Sequence, residues 1–209
     1  DTIYAPDSGV WHLIGDRIHS YMHQTLPDLS PEELPILRDR LLKQYGTTLR
    51  GLHTERGIDV QAYLDYVHDL DLTELLSPDP ELRGILQAYP QRKLIFTNAS
   101  RGHAENVLKQ MDLRDLFSEI TDVGDVYPNC KPMPEAFQIM FERFGITNPQ
   151  TCLYADDSLP NLAAAESLGM QALYVGEKTG HPYRAIRRLK DLGDVLSPGG
   201  RSLTRNQAP

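Results

Sequence analysis

The sequence predicts an α/β protein, a Rossmann-like parallel-sheet core interrupted near its start by a block of helices. Two observations carry that reading. From residue 93 to residue 175, short apolar, β-branched or aromatic runs alternate with helical patterns, and such alternation implies right-handed crossovers and a parallel sheet. From residue 8 to residue 88, by contrast, the periodic stretches all have helical spacing. A third, local observation marks the working end of the sheet. Cys152-Leu-Tyr-Ala-Asp-Asp-Ser-Leu-Pro-Asn161 is a short apolar run ending in two adjacent carboxylates. A buried strand there projects acids from its carboxyl end, where open α/β sheets bind ligands.

The elements follow in order. Pro6 stops a short opening segment, and Ser8 is a candidate N-cap for a helix carrying Trp11, Ile14, Ile18, Tyr21 and Met22. Ser30-Pro-Glu-Glu33 has the form of a capping box with Pro31 at the first helical position, opening a helix with Leu34, Leu37, Leu41 and Leu42. Asp59 caps a third helix whose inner face is Tyr63, Leu64 and Val67, and a fourth over 81–88 buries Leu82, Ile85 and Leu86. Strands are expected over 93–97, 119–123, 153–155 and 172–175, with helices over 100–111, 134–145 and 159–168. The expected organisation is a core of 1–7 and 78–196, a helical cap over 8–77, and a disordered tail over 197–209 with little to bury.

Charge and composition exclude several functions. The 209 residues carry a net charge of −8, and the one cationic cluster on a predicted helix face is Arg184, Arg187, Arg188 and Lys190. Nucleic-acid binding needs a broader basic footprint, and an anionic substrate must be attracted by a few placed cations. Two cysteines, Cys130 and Cys152, fit reduced thiols in a cytoplasmic protein better than a secreted disulfide scaffold. No apolar run approaches the ~18–20 residues of a membrane span, and no signal peptide is visible.

Three motifs carry chemistry. Asp156 and Asp157 repel one another, and a site that keeps both ionised holds a cation; with oxygen ligands on offer that cation is Mg²⁺. Thr97-Asn-Ala-Ser100, at a strand's end and a helix's start, offers a hydroxyl, an amide and free helix N–H groups as a phosphate cradle. Cys130-Lys-Pro-Met-Pro134 holds Lys131 between prolines ahead of a helix, where it can neutralise a phosphoryl group and the nearby carboxylates. Tyr45 and Arg50 flank a Gly-containing turn in the helical block and are candidates to reach over the site, Tyr45 to stack on a flat ring and Arg50 to hold a carbonyl or a phosphate. His19 and His23 share a helix face without a third ligand, which reads as a solvated face.

In this order and at these separations, the motifs resemble the haloacid dehalogenase superfamily of phosphohydrolases. Asp1-Thr-Ile-Tyr-Ala-Pro is similar to the tail of that superfamily's first motif, Asp-x-Asp-x-Thr, with Thr2 at the Thr position. The helical block is similar to the family's cap. Tyr45-Gly-Thr-Thr-Leu-Arg-Gly-Leu52 and Ala155-Asp-Asp-Ser-Leu-Pro-Asn161 look like the pyrimidine 5′-nucleotidase group. The resemblance implies an Mg²⁺-dependent phosphomonoesterase acting through an aspartyl-phosphate on a small phosphorylated metabolite, a pyrimidine nucleoside monophosphate, with a homodimer open to it. It implies that Thr97 and Lys131 bind the transferring phosphoryl group with Asn98 beside them. Asp157 is then the main metal ligand, Asp156 a second or outer one, and Asn161 a support.

The sequence departs from that pattern at its start. Aligned on Thr2, Asp1 takes the variable position, and both catalytic aspartates and their strand fall before residue 1. The chain therefore reads as an N-terminally truncated enzyme, inactive as written. The competing readings are a non-catalytic binding or scaffold protein on the same fold and a phosphatase of another small metabolite. A phosphate-accepting receiver domain carries its acid pair first and is excluded by the order found here. A dehalogenase has no need of the Asp156–Asp157 metal site.

Overall fold

Helix α1 (Val10–Thr25) turns Ile14, Ile18, Tyr21 and Met22 inward, α2 (Glu33–Tyr45) Leu34, Leu37 and Leu41, and α4 (Val60–His68) Tyr63, Leu64 and Val67. These are the residues that helical periodicity assigns to the core, except Trp11 and Leu42, which stay 50% and 46% exposed. The computed structural model describes residues 2–197; Asp1 and the expected tail beyond Ser197 lie outside the described residues.

Local chemistry corrects several helix boundaries. Gly9, at φ +86°, caps α1 in place of Ser8, which is held in a 3-10 turn started by Pro6. The Ser30–Glu33 box forms by half: the Glu33 carboxylate accepts from Ser30 N–H at 2.8 Å, while Pro31 sits in a turn ahead of α2. The stretch expected as a turn around Gly46 contains a whole helix, α3 (Thr48–Arg56). Gly46 ends α2 in the left-handed conformation, and the Thr47 hydroxyl caps α3 by accepting from Arg50 N–H at 3.1 Å. A Cβ on Gly51 would lie 2.7 Å from the Leu41 side chain, so this glycine lets α3 cross α2 closely. Two glycines and two threonines resemble a loop in sequence and here serve as cap and contact.

Helix α5 (Pro80–Ala88), capped by Asp79, leads into the α/β region. There β1 (Leu94–Phe96) is followed by α6 (Arg101–Gln110), β2 (Glu119–Thr121), the short α7 (Val123–Val126) and α8 (Pro134–Phe144). Then come β3 (Leu153–Asp156), α9 (Leu159–Ser167), β4 (Gln171–Val175) and β5 (Arg184–Ile186). All strand pairs are parallel, as alternation requires, but they form two sheets: β1-β2 and β3-β4-β5. Strand β5 was not legible in the sequence. Its Arg184 and the following Arg187, Arg188 and Lys190 were expected on a helix face. Instead Arg187 pairs with Glu177, Arg188 with Asp7 and Lys190 with Glu81, which leaves no basic face.

The backbone shows which edges stay open. Lys93 C=O, Thr97 N–H and Ala99 C=O all bond toward β2, so the odd-numbered residues of β1 face that neighbour. The N–H and C=O groups of Leu94 and Phe96 therefore point away from it. In β3, Cys152 C=O accepts from Gln171 N–H on the β4 side, which turns Leu153 and Ala155 outward in the same way. Between these two edges lies a cavity of about 1360 Å³, lined by Leu94, Ile95, Phe96, Leu153, Tyr154 and Ala155. Phe137 of α8, fully buried, links the two edges with ring contacts to Phe96 at 5.2 Å and Tyr154 at 5.5 Å.

No helix among the described residues is long and apolar enough to cross a membrane. Cys130 and Cys152 are both free thiols.

Candidate active site

The carboxyl ends of β1 and β3 meet at Lys131. Its ammonium donates to Phe96 C=O at 2.8 Å, to Tyr154 Oη at 3.0 Å and to Asp156 Oδ2 at 2.9 Å. An ammonium has three donors, and all three are satisfied. Because one partner ends β1 and another ends β3, the two sheets point their carboxyl ends to the same place. Lys131 is held there by Asn98, whose amide accepts from Lys131 N–H at 2.8 Å and donates to Lys131 C=O at 3.0 Å. Asn98, expected against substrate, spends these bonds on positioning the lysine.

Asp156 is the hub of this network and is 4% exposed. Its oxygens accept from Lys131, from Tyr154 Oη at 2.6 Å, from Ser158 N–H at 2.8 Å and from Asn161 Nδ2 at 3.1 and 3.2 Å. Burial pushes its carboxyl up, but the Lys131 charge and these donors outweigh that and hold it below the ordinary aspartate value. Burial and the Asp156 charge push the Tyr154 hydroxyl far above its ordinary value, so it remains a donor. With protein donors around both oxygens, Asp156 is placed to orient its neighbours. Asn161 has the supporting part expected of it. Tyr154 was missed, although its position two residues before Asp156 puts both side chains on one strand face.

Asp157 points elsewhere. It is half-buried at the rim and accepts from the Thr2 hydroxyl at 2.8 Å, which sets residue 2 at the mouth of the cleft. Among the described residues no group of three or more His, Cys, Asp or Glu side chains converges as a metal site. The donor set fits Mg²⁺ in its common form, in which one or two carboxylates hold an ion that keeps waters and substrate oxygens.

The cradle expected at 97–100 is only partly open. Thr97 Oγ1 accepts from Ala99 N–H at 3.0 Å, Asp122 takes Arg101 N–H at 2.7 Å, and Ser100 Oγ takes His103 N–H at 3.3 Å. The helix N–H groups that an anion would use are largely committed to these caps. Thr97, Asn98, Lys131, Asp156 and Asp157 nonetheless line one cavity together.

Tyr45 and Arg50 do not line it. Arg50 sits in the first turn of α3, and its guanidinium donates to Pro128 C=O at 3.0 Å and Tyr45 C=O at 3.2 Å. Those bonds tie the helical block to the segment before Lys131, a structural task that a turn-based reading could not anticipate.

A family model for haloacid dehalogenase-like hydrolases matches residues 19–169. The chain belongs to this family. Among curated proteins, Phosphate metabolism protein 8 of Saccharomyces cerevisiae is 28% identical over 184 residues, covering 81% of this chain and 57% of that protein. The protein named probable pseudouridine-5′-phosphatase of Drosophila melanogaster is 32% identical over 136 residues, covering 57% and 59%. The chain thus spans somewhat over half the length of these relatives. Among solved structures, the haloacid dehalogenase-type hydrolase YfnB of Bacillus subtilis, bound to magnesium, is similar with a TM-score of 0.61 at 18% identity, covering 90% of this chain and 92% of that one.

Proposed function

We propose that this chain is the scaffold of an Mg²⁺-dependent phosphomonoesterase acting on a small phosphorylated metabolite, a pyrimidine nucleoside 5′-monophosphate. The observation that carries the reading is the Lys131–Asp156 network, set where two open parallel edges converge. Family membership and the phosphatase name of one relative support it. Residues 8–77 act as a cap over the cleft.

The cleft between β1 and β3 receives a parallel strand that leads into residue 2 and ends in Asp-x-Asp. Such a strand pairs with the outward backbone groups of Leu94 and Phe96 on one side and of Leu153 and Ala155 on the other. It takes Phe96 C=O from Lys131, so the ammonium turns one donor toward the phosphoryl group. The first strand aspartate attacks phosphorus; the second protonates the leaving oxygen and later activates water. Thr97 and Lys131 hold the phosphoryl oxygens. Asp156 orients Lys131 from behind, and Asp157 would hold Mg²⁺, which when bound would supply positive charge to offset that on the transferring group.

The chain alone is then expected to leave p-nitrophenyl phosphate unhydrolysed in Mg²⁺. Joined to an apolar strand ending Asp-x-Asp directly before Asp1, it is expected to hydrolyse it, with activity abolished by EDTA. Turnover by the chain alone that is lost in Asp1→Ala contradicts the alignment on Thr2. Full activity of the joined protein in EDTA contradicts the metal's role. Phosphate binding without turnover in the joined protein favours the binding or scaffold role.

A further inference from the structure

Part of the lining of the cavity that Lys131 enters belongs to the cap. Helix α1 contributes Trp11, Ile14 and Ile18 from one face, and α2 contributes Arg38, Leu42 and Lys43. The faces meet at Gly15, where an added Cβ would lie 3.5 Å from Arg38 Nη1. With only hydrogen at this position, the guanidinium rests against the α1 backbone.

Arg38 is unlike the other arginines. Every other arginine among the described residues donates to a carboxylate or a backbone carbonyl. Arg38, half-buried, has no such partner. In a chain of net charge −8, carboxylates are plentiful, yet none is set beside it. A guanidinium partly withdrawn from water with its donors unspent is poised for an acceptor that arrives with a ligand. Trp11, the single tryptophan of the sequence, is 50% exposed on the same wall, and Leu42 is 46% exposed. An indole face and a leucine beside an uncommitted planar cation suit a flat ring with a polar edge.

We infer that Trp11 and Arg38 are the specificity-determining residues of the cleft, reading the planar heteroaromatic base carried by the leaving nucleoside by stacking and by hydrogen bonds to its carbonyl edge. This rests on the phosphoryl site assigned above and moves base recognition from Tyr45 and Arg50 to these two residues.

Trp11 also reports on its own ligand, because no other tryptophan contributes emission. The test titrates the chain joined to a tryptophan-free strand ending Asn-x-Asp, which completes the phosphoryl site but cannot form the aspartyl-phosphate, in Mg²⁺ with uridine 5′-monophosphate, phosphoglycolate and inorganic phosphate, following Trp11 fluorescence and calorimetric Kd. Uridine 5′-monophosphate is expected to quench Trp11 and to bind about 10-fold more weakly to Arg38→Met, the scale of a lost charge-assisted hydrogen bond. Inorganic phosphate is expected to bind both proteins alike without quenching. Since Arg38 makes no hydrogen bond among the described residues, Arg38→Met should melt within about 2 °C of the parent. Trp11→Leu should weaken the nucleotide about 5-fold by calorimetry and spare phosphate. Nucleotide binding indifferent to Arg38→Met, or without quenching, overturns the inference and leaves the phosphoryl site standing. Phosphoglycolate binding that depends on Arg38 while the nucleotide does not makes Arg38 a carboxylate reader and overturns it too. If phosphate itself fails to bind, the phosphoryl site falls and this inference with it.

Discussion

The two walls of the cleft solve opposite problems. On the core side, donors and acceptors are matched inside the protein: Lys131 gives all three hydrogens away, and Asp156 accepts from four neighbouring residues. On the cap side, Arg38 has no carboxylate or carbonyl partner among the described residues, and Trp11 is 50% exposed. Matched polar groups in a buried place contribute rigidity and cannot discriminate among ligands without giving something up. Unmatched groups near the surface contribute little to folding and are free to discriminate. Stability and positioning are thus expected to concentrate at Lys131, and specificity at Arg38.

The comparison breaks most visibly at Lys131. Lys131→Met leaves Asp156 buried without its counter-charge and is expected to cost about 3–5 kcal/mol in urea unfolding. In the strand-joined protein it should also lower kcat by about 10²-fold or more, with no rescue by added Mg²⁺. A loss below about 1 kcal/mol would mean the network is a surface pair in disguise.

A smaller effect sharpens the seam between cap and core. His68 of α4 and His103 of α6 stack at 4.9 Å, and both Nδ1 atoms are buried without a partner. Burial lowers His68 to about 3, with the His103 charge adding to it, and burial lowers His103 to about 4. The unfolded chain protonates them near pH 6.5, so below that pH it binds protons that the folded chain refuses. Stability is therefore complete above pH 6.5 and falls toward pH 4 by about 1.4 kcal/mol per unit for each histidine. Asp156 does not confuse this window, since its folded value lies below the ordinary aspartate value and its contribution is lost only in stronger acid. Unfolding at pH 6.5, 5.5 and 4.5 should show the slope, and His68→Phe with His103→Leu should flatten it. An equal slope in that variant removes the pair from the account.

Asp157 is expected to be smaller still for folding. It is half-buried at the rim, so Asp157→Asn should change stability by less than about 1 kcal/mol. In the strand-joined enzyme the same change should remove most activity, with partial recovery at high Mg²⁺, while Asp156→Asn should be the milder of the two. The reverse order would place Asp156 against the ion. The least effect belongs to Tyr45→Phe, expected to leave uridine 5′-monophosphate affinity within about twofold, because Tyr45 lies outside the cavity lining. A large loss there would return base reading to the expected turn.

Patterns repeated along the chain were legible in the sequence, and contacts made once were not. Helical spacing from Trp11 to Val67 and strand–helix alternation from Leu94 onward gave the fold class, since each rests on many residues agreeing. Asp156, Asp157, Lys131 and Asn161 stood out because strand ends and flanking prolines mark such residues locally. Helix α3 was hidden by Gly46 and Gly51, whose turn propensity yields to a Thr47 cap and a close crossing with Leu41. Tyr154 was hidden inside an apolar run, where a tyrosine reads as core. Arg38 could not be found at all, because its distinction is the lack of a partner, and only a folded chain reveals that. The same is true of the division into two sheets, which depends on which backbone groups meet across space.

The central claim is that the cleft between β1 and β3 is a strand position with two open edges. Amide hydrogen exchange at Leu94, Phe96, Leu153 and Ala155 tests it most directly, in the chain alone and with the Asp-x-Asp strand joined before Asp1. The account predicts fast exchange at these four amides in the chain alone, slow exchange in the joined protein, and unchanged protection at β4 residues such as Leu173. Four amides already protected in the chain alone, or still fast once the strand is joined, would contradict it.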